Sequence, residues 1–257
     1  MRISIKSPEE MDAMRVAGRI TAEALAAVCA AVRAGISTAE LDQIARDELK
    51  RRGALAACLG YPGRGGPFPG HICASINDEV VHGIPSKDRI LAEGDVVSLD
   101  LVGLVNGFMG DATRTVSVGP VKDEHVARLL EGTERALAEG IAQALPGNRV
   151  GDISAAVEAC AGRFQLGVVR ELVGHGIGRE MHEGPSIPNH GRPHAGPLLR
   201  AGMTLAIEPM LLLGKEKLLF DADGWTVRTA DGSWAAHFEH TVLVTGGAPE
   251  ILTEIKS

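Results

Sequence analysis

Apolar positions recur at helical spacing from the start of the chain. Ser7-Pro8-Glu9-Glu10 reads as a helix start, with Ser7 as cap, Pro8 in the first helical position and Glu10 closing a capping box. Met11, Met14, Leu25, Val28 and Val32 then fall on one face, the small residues Gly18 and Thr21 fill the same stripe, and Gly35 is expected to end the helix. Ser37-Thr38-Ala39-Glu40 repeats the box and predicts a shorter helix stopping near Gly53. A second long helical pattern runs over 123–145 and closes at Pro146-Gly147, and Asp152 is read as the cap of a short helix reaching about Phe164. β-Branched, strand-like segments follow each helix pair, at 95–102 and 113–118 and then at 168–173, 203–207 and 240–244. The period, about 115 residues, is too long for a solenoid. The pattern predicts an α/β (α+β) chain, one domain over 1–257 made of two similar halves at about 8–118 and 122–245.

Glycine and proline punctuate this pattern twice. Residues 60–70 (GYPGRGGPFPG) are expected to be a loop, as is the Pro/Gly/His-rich stretch 183–197. Composition narrows the partners. A net charge of -7 and the lack of any basic block argue against nucleic acid. Cys29, Cys58, Cys73 and Cys160 form no C-x-x-C pair, which suggests reduced thiols. The start of the chain carries no apolar signal region and no apolar run reaches the ~18 residues of a membrane span, so a soluble cytoplasmic protein is expected.

The candidate chemistry lies where carboxylates interrupt apolar runs. Asn106-Gly107 between apolar segments is a strong hairpin signal. That turn pairs Val105 with Phe108 and Val102 with Asp111, and brings Asp100 and Asp111 to one sheet face as diagonal neighbours. Glu208 and Glu239 sit in two further apolar runs, each read as a strand interior. For any one of these residues a solvated edge position is the ordinary explanation; four such acids, two per half, need a common cause. His175, within VGHGIG, follows a strand-like run; His182 and His82 also neighbour glycines. The Gly174/Gly176/Gly178 run lacks the spacing of a dinucleotide fingerprint. Hard oxygen ligands with one imidazole and no thiolate suit Mn, Fe, Co or Zn at a catalytic site, and four carboxylates balance two divalent ions.

These residues, in this order, resemble the type I methionine aminopeptidases of the M24 metallopeptidase family, from about Ile3 to Leu252. The motifs that carry the resemblance are INDEVVHGIP at 76–85, GDVVSLD at 94–100, GFMGDATRT at 107–115, VGHGIGREMHEGP at 173–185, GMTLAIEPM at 202–210 and FEHTVLVT at 238–245. The resemblance implies a pita-bread fold, two pseudo-symmetric halves around a dinuclear metal site. It implies that Asp100 binds one ion, that Asp111 and Glu239 bridge two, and that His175 and Glu208 complete the second. It assigns substrate contacts to His82 and His182, and a methionine pocket to Cys58, Tyr61, Phe68, Cys73 and Trp225. Two departures touch the entrance: the 61–68 loop, with Arg64 in it, is longer than the family's, and Met181 stands where an aromatic ring is common.

The implied activity is release of the N-terminal methionine from nascent proteins and peptides when the next residue is small, by a cytoplasmic monomer that can meet its substrates at the ribosome. Glu208 is the expected general base, His182 the group that polarises the scissile carbonyl, and His82 the group at the leaving nitrogen. Two alternatives stand beside this reading: an X-Pro aminopeptidase or prolidase-like hydrolase, and a non-catalytic binding protein on the same fold.

Overall fold

The computed structural model describes residues 2–255. Helix α1 (Pro8–Ala30) starts with the expected capping box, Ser7 and Glu10 each bonding the other's backbone N–H. It stops at Ala30, one turn before Gly35. Gly35, at φ +83°, instead turns the chain toward Ile36, which with Gly35 pairs to Leu91. Helix α2 (Thr38–Arg51) has its own capping box from Ser37 and Glu40. Helices α3 (Glu124–Ala142) and α4 (Val150–Arg163) form the second pair. Here Asp152 is not the cap: Arg149 occupies that position, and Asp152, a turn inside, accepts from the Arg149 N–H at 2.7 Å. Among the described residues no helix is long and apolar enough to cross a membrane.

The central hairpin forms in the predicted register. Strands Val96–Val105 and Phe108–Ser117 pair with Val105 opposite Phe108, Val102 opposite Asp111 and Asp100 opposite Thr113. Helix α1 lies across them at closest approach where both sides are glycine. A Cβ on Gly110 would stand 2.8 Å from the Gly18 backbone, and one on Gly18 would stand 2.5 Å from the Leu252 carbonyl. The small residues in the helical stripe thus let backbone meet backbone beside Asp111. Around them Met14, Leu25, Leu41, Leu99 and Leu101 are buried in a first core.

A second core fills the space between α3, α4 and the other sheets, with Leu129, Ile153, Leu205 and Val242 fully buried. One sheet orders Glu183–Pro188, Val173–Gly176, Thr204–Ile207, His240–Leu243 and Glu250–Ile251; another orders Ala235–His237, Met210–Leu212 and Gly167–Val168. Three expectations change here. The strand expected over 168–173 breaks between Val168 and Val173. Residues 183–188 are a strand and not a loop; being at the sheet edge, with a register shift between Glu183 and Ser186, it tolerates Pro185 and Pro188. Glu208 and Glu239 are not in strand interiors, since each lies in the break where the chain leaves one sheet for the other.

Threonines stitch the halves together. Asp111 N–H donates to Thr241 Oγ1 at 2.9 Å, and that hydroxyl donates to the Asp111 carbonyl at 2.8 Å. Thr113 Oγ1 donates to Glu239 Oε2 at 2.8 Å while its carbonyl accepts from the Glu239 N–H at 2.9 Å. Thr115 Oγ1 bonds both the carbonyl and the N–H of His237. The seam fixes the hairpin acids against the acids of the second half.

Candidate metal centre

Asp111, His175 and Glu239 each bring one donor atom to within 4.8 Å of the others, all three side chains buried. His175 Nε2 is 3.5 Å from Glu208 Oε1 and 3.9 Å from Asp111 Oδ2. The other ring nitrogen, Nδ1, lies 3.0 Å from the Gly176 carbonyl. Donation there leaves the Nε2 lone pair facing the acids, the arrangement of a metal-ligating imidazole. Asp100 joins from the strand position opposite Thr113.

The electrostatics fit cations. Burial, then repulsion from Glu239, Asp100 and Glu208, drives the Asp111 carboxyl well above its ordinary range. Glu239 is pushed up by burial and by Glu208 and Asp100, and Glu208 by burial and Asp100. Asp100 is raised by burial, against the pull of His237. Asp111 Oδ1 is buried with no hydrogen-bond partner, as is His237 Nε2. Buried acids that repel one another, with an orphaned oxygen among them, are what a bound divalent ion would neutralise. Burial, and the neighbouring His182, push His175 down to about 4, so its ring is neutral near pH 7 and free to donate a lone pair.

One cavity, about 140 Å³, joins these groups to the other expected site residues. Asp100, Asp111, His175, Glu208 and Glu239 line it together with His82, His182, Cys58, Tyr61, Phe68, Cys73, Met181 and Trp225. Val102, from the hairpin, is an additional wall that sequence patterning treated only as strand. Tyr61 Oη and His182 Nδ1 are 2.7 Å apart, and the His182 ring meets the His175 ring edge-on at 4.4 Å. Phe68 and His82 both present T-shaped contacts to Trp225, at 5.1 and 6.1 Å. His82 holds a left-handed φ of +59°, a region sparsely populated by residues other than glycine. Burial, with His237, lowers His82 to about 4; burial, with His82, lowers His182.

The 61–68 loop is a short hairpin, Pro62–Gly63 on Gly66–Pro67, laid against Trp225. Gly63 and Gly65 have no room for a Cβ there, because the indole and the Asp223 carbonyl occupy it. Sequence reasoning missed His237. It is fully buried behind the site, with Nε2 3.4 Å from Glu208 Oε2. Its only signal was a histidine two residues before Glu239 in an otherwise apolar run.

Comparison with known proteins gives a consistent picture. Residues 12–246 match metallopeptidase family M24. The chain is 47% identical over 251 residues to the methionine aminopeptidase of Clostridium acetobutylicum, with 98% of each covered. The crystal structure of methionine aminopeptidase from Rickettsia prowazekii superposes with a TM-score of 0.94 at 38% identity, over 98% of this chain and 100% of that one. The prolidase from Pyrococcus furiosus shares the fold at a TM-score of 0.76 and 22% identity, this chain spanning 66% of its length.

Proposed function

This chain belongs to metallopeptidase family M24, and on that premise we propose that it is a methionine aminopeptidase, built as one catalytic domain of two related halves, that removes the first residue of peptides and proteins when the second is small. The observation that carries the reading is the cavity itself, lined by buried acids and a neutral imidazole together with two thiols and aromatic rings. A thioether suits such a sulfur-and-ring wall.

We assign Asp100, Asp111, His175, Glu208 and Glu239 as the holders of two divalent ions, drawn from Co, Mn, Fe or Zn. Such ions, when bound, acidify a water and stabilise the charge that develops on the scissile carbonyl oxygen. The substrate's free α-amine would be received beside the ions held by these residues, which would restrict cleavage to the first bond. Glu208, buried in the cavity among the other acids, takes the proton from the attacking water. Tyr61 Oη holds His182 Nδ1 at 2.7 Å; in the tautomer that accepts the tyrosine proton there, the Nε2–H is the donor for the carbonyl oxygen. His82 reaches the leaving nitrogen from the Trp225 side. Cys58, Tyr61, Phe68, Cys73, Met181 and Trp225 hold the methionine side chain.

The X-Pro reading rests on likeness of fold alone, at 22% identity. We read the protein as a cytoplasmic monomer that meets nascent chains at the ribosome. The test of the activity is direct. Metal-stripped protein is given Met-Ala-Ser and Ala-Pro peptides with Co, Mn, Fe or Zn added in turn. Free methionine released only with metal supports the proposal; release from X-Pro peptides alone moves the chain to the prolidases, and no release with any metal leaves a binding role.

A further inference from the structure

The turn that carries Met181 and His182 to the cavity is held from an unexpected place, the first residues of the chain. Glu183 follows His182 directly and is the hub of the turn. Its Oε1 accepts from the Arg179 N–H at 3.0 Å and from the Glu180 N–H at 3.5 Å, closing the turn on itself. Its Oε2 accepts from Lys6 Nζ at 2.7 Å and from the Ser4 hydroxyl, which also accepts from Lys6. The Lys6 side chain is only 4% exposed. Gly178 makes room for the pair: a Cβ there would stand 2.6 Å from both Lys6 Cε and Glu183 Oε1. The backbone repeats the attachment. Gly184 N–H donates to the Arg2 carbonyl at 3.0 Å, Ile3 bridges to Gly184 in parallel, and Lys6 N–H donates to the Gly202 carbonyl at 2.8 Å. At its other end the turn is tied to the hairpin by Met109 N–H donating to the Gly178 carbonyl.

We propose that Lys6, with Ser4 and through Glu183, is a positioning residue for His182: the N-terminal segment clamps the 178–184 turn so that the His182 ring stays aimed at the scissile carbonyl. A lysine and a glutamate 177 residues apart, both withdrawn from solvent and sharing a serine, are a costly arrangement for a surface tie. They are well suited to fixing one side chain beside them, since a displacement of about 1 Å in a reacting geometry can cost ~100-fold in rate.

The inference rests on the role given to His182 above, and the experiment separates the two. Lys6→Met, His182→Ala and the double variant are assayed for kcat and KM on Met-Ala-Ser. Metal affinity is measured by calorimetry, and amide exchange is followed at Arg179 and Glu180. Lys6→Met is expected to lower kcat ~10- to 100-fold with metal affinity unchanged and faster exchange at both amides. In the His182→Ala background the same change is expected to add less than about a two-fold loss, because the group it positions is gone. A full-sized loss in that background, or wild-type kcat in folded Lys6→Met, overturns the clamp. If His182→Ala alone keeps full activity, the role of His182 falls, and amide exchange still reports whether Lys6 holds the turn. Should Lys6→Met fail to fold, Ser4→Ala, which keeps the charge pair, goes through the same cycle with the same criteria.

Discussion

Replacing Asp111 with asparagine should stabilise the protein in chelator and destabilise it in metal, relative to the parent. Asp111 is 4% exposed, and its donor atom lies within 4.8 Å of those of Glu239 and His175. Two unit charges 4.8 Å apart repel by about 3 kcal/mol at an effective dielectric near 20. Burial and the neighbouring acids Glu239, Asp100 and Glu208 already push Asp111 toward its protonated form, so asparagine relieves only part of the full repulsion among them. With metal present the sign reverses. A ligand that binds only the folded state contributes about 2.7 kcal/mol at a concentration 100 times its Kd, and a variant that lacks the Asp111 carboxylate would lose that contribution. Urea unfolding of both proteins at pH 8, in EDTA and in Mn(II), reads the two differences directly. The order of stabilities should cross between the two conditions, and the variant should release no methionine. If Asp111→Asn is the less stable protein in EDTA and responds to Mn(II) as the parent does, Asp111 is a structural acid and the metal assignment fails.

Other consequences follow from the same geometry. In EDTA the buried acids have folded pKa values above their unfolded ones, so the stability they allow at low pH is lost as pH rises through those folded values. His82, His175 and His237, lowered to about 4, act oppositely: their stability is present above about 6.5 and is lost as pH falls toward 4. In EDTA the two trends offset between about 4 and 6.5, so melting temperature should fall as pH rises above about 6.5, and metal should remove that alkaline fall; a profile unchanged by metal contradicts this. Glu208→Gln should lower kcat by roughly 100- to 10,000-fold in protein that still folds, as steady-state assays with and without added metal will show. Gly63→Ala should raise KM for Met-Ala-Ser more than it lowers kcat, since its methyl must displace the Trp225 ring; an unchanged KM and indole fluorescence would disprove that contact. Gly18→Ala should cost about 1–3 kcal/mol in urea unfolding while leaving the folded enzyme active, because it forces α1 off the Leu252 carbonyl without touching the cavity.

What was legible in the sequence was local, and what was missed was set at a distance. The hairpin register followed from Asn106-Gly107 alone, since a two-residue turn leaves one pairing, and that pairing put Asp100 and Asp111 on one face. Both Ser–Glu boxes marked helix starts because each is complete within four residues. Gly35 misled because a left-handed glycine serves any turn, and here the turn feeds the Ile36–Leu91 pairing and not the helix end. The strand at Glu183–Pro188 was hidden by its prolines, which an edge position permits and an interior one forbids; sequence does not say which strand will be the edge.

Glu208 and Glu239 carry the point further. Each was noticed as an acid in an apolar run, yet both lie at breaks between strands. Pro209, with no N–H to give a ladder, was the available clue for the first; the second had none. The placement has a physical logic. A strand interior points alternate residues to fixed faces, whereas a crossing between two sheets lets the chain turn a side chain toward the seam where the halves meet. The Thr113 and Thr241 hydroxyls hold that seam from the partner strands. Acids drawn from two halves thereby converge on one cavity, which requires that neither half bury them alone. The Lys6–Glu183 pair follows the same rule: the lysine that ties the turn down belongs to a segment 177 residues away in sequence. Sequence therefore announces the candidate ligands, through the oddity of acids among apolar neighbours, and stays silent on the residues packed behind them.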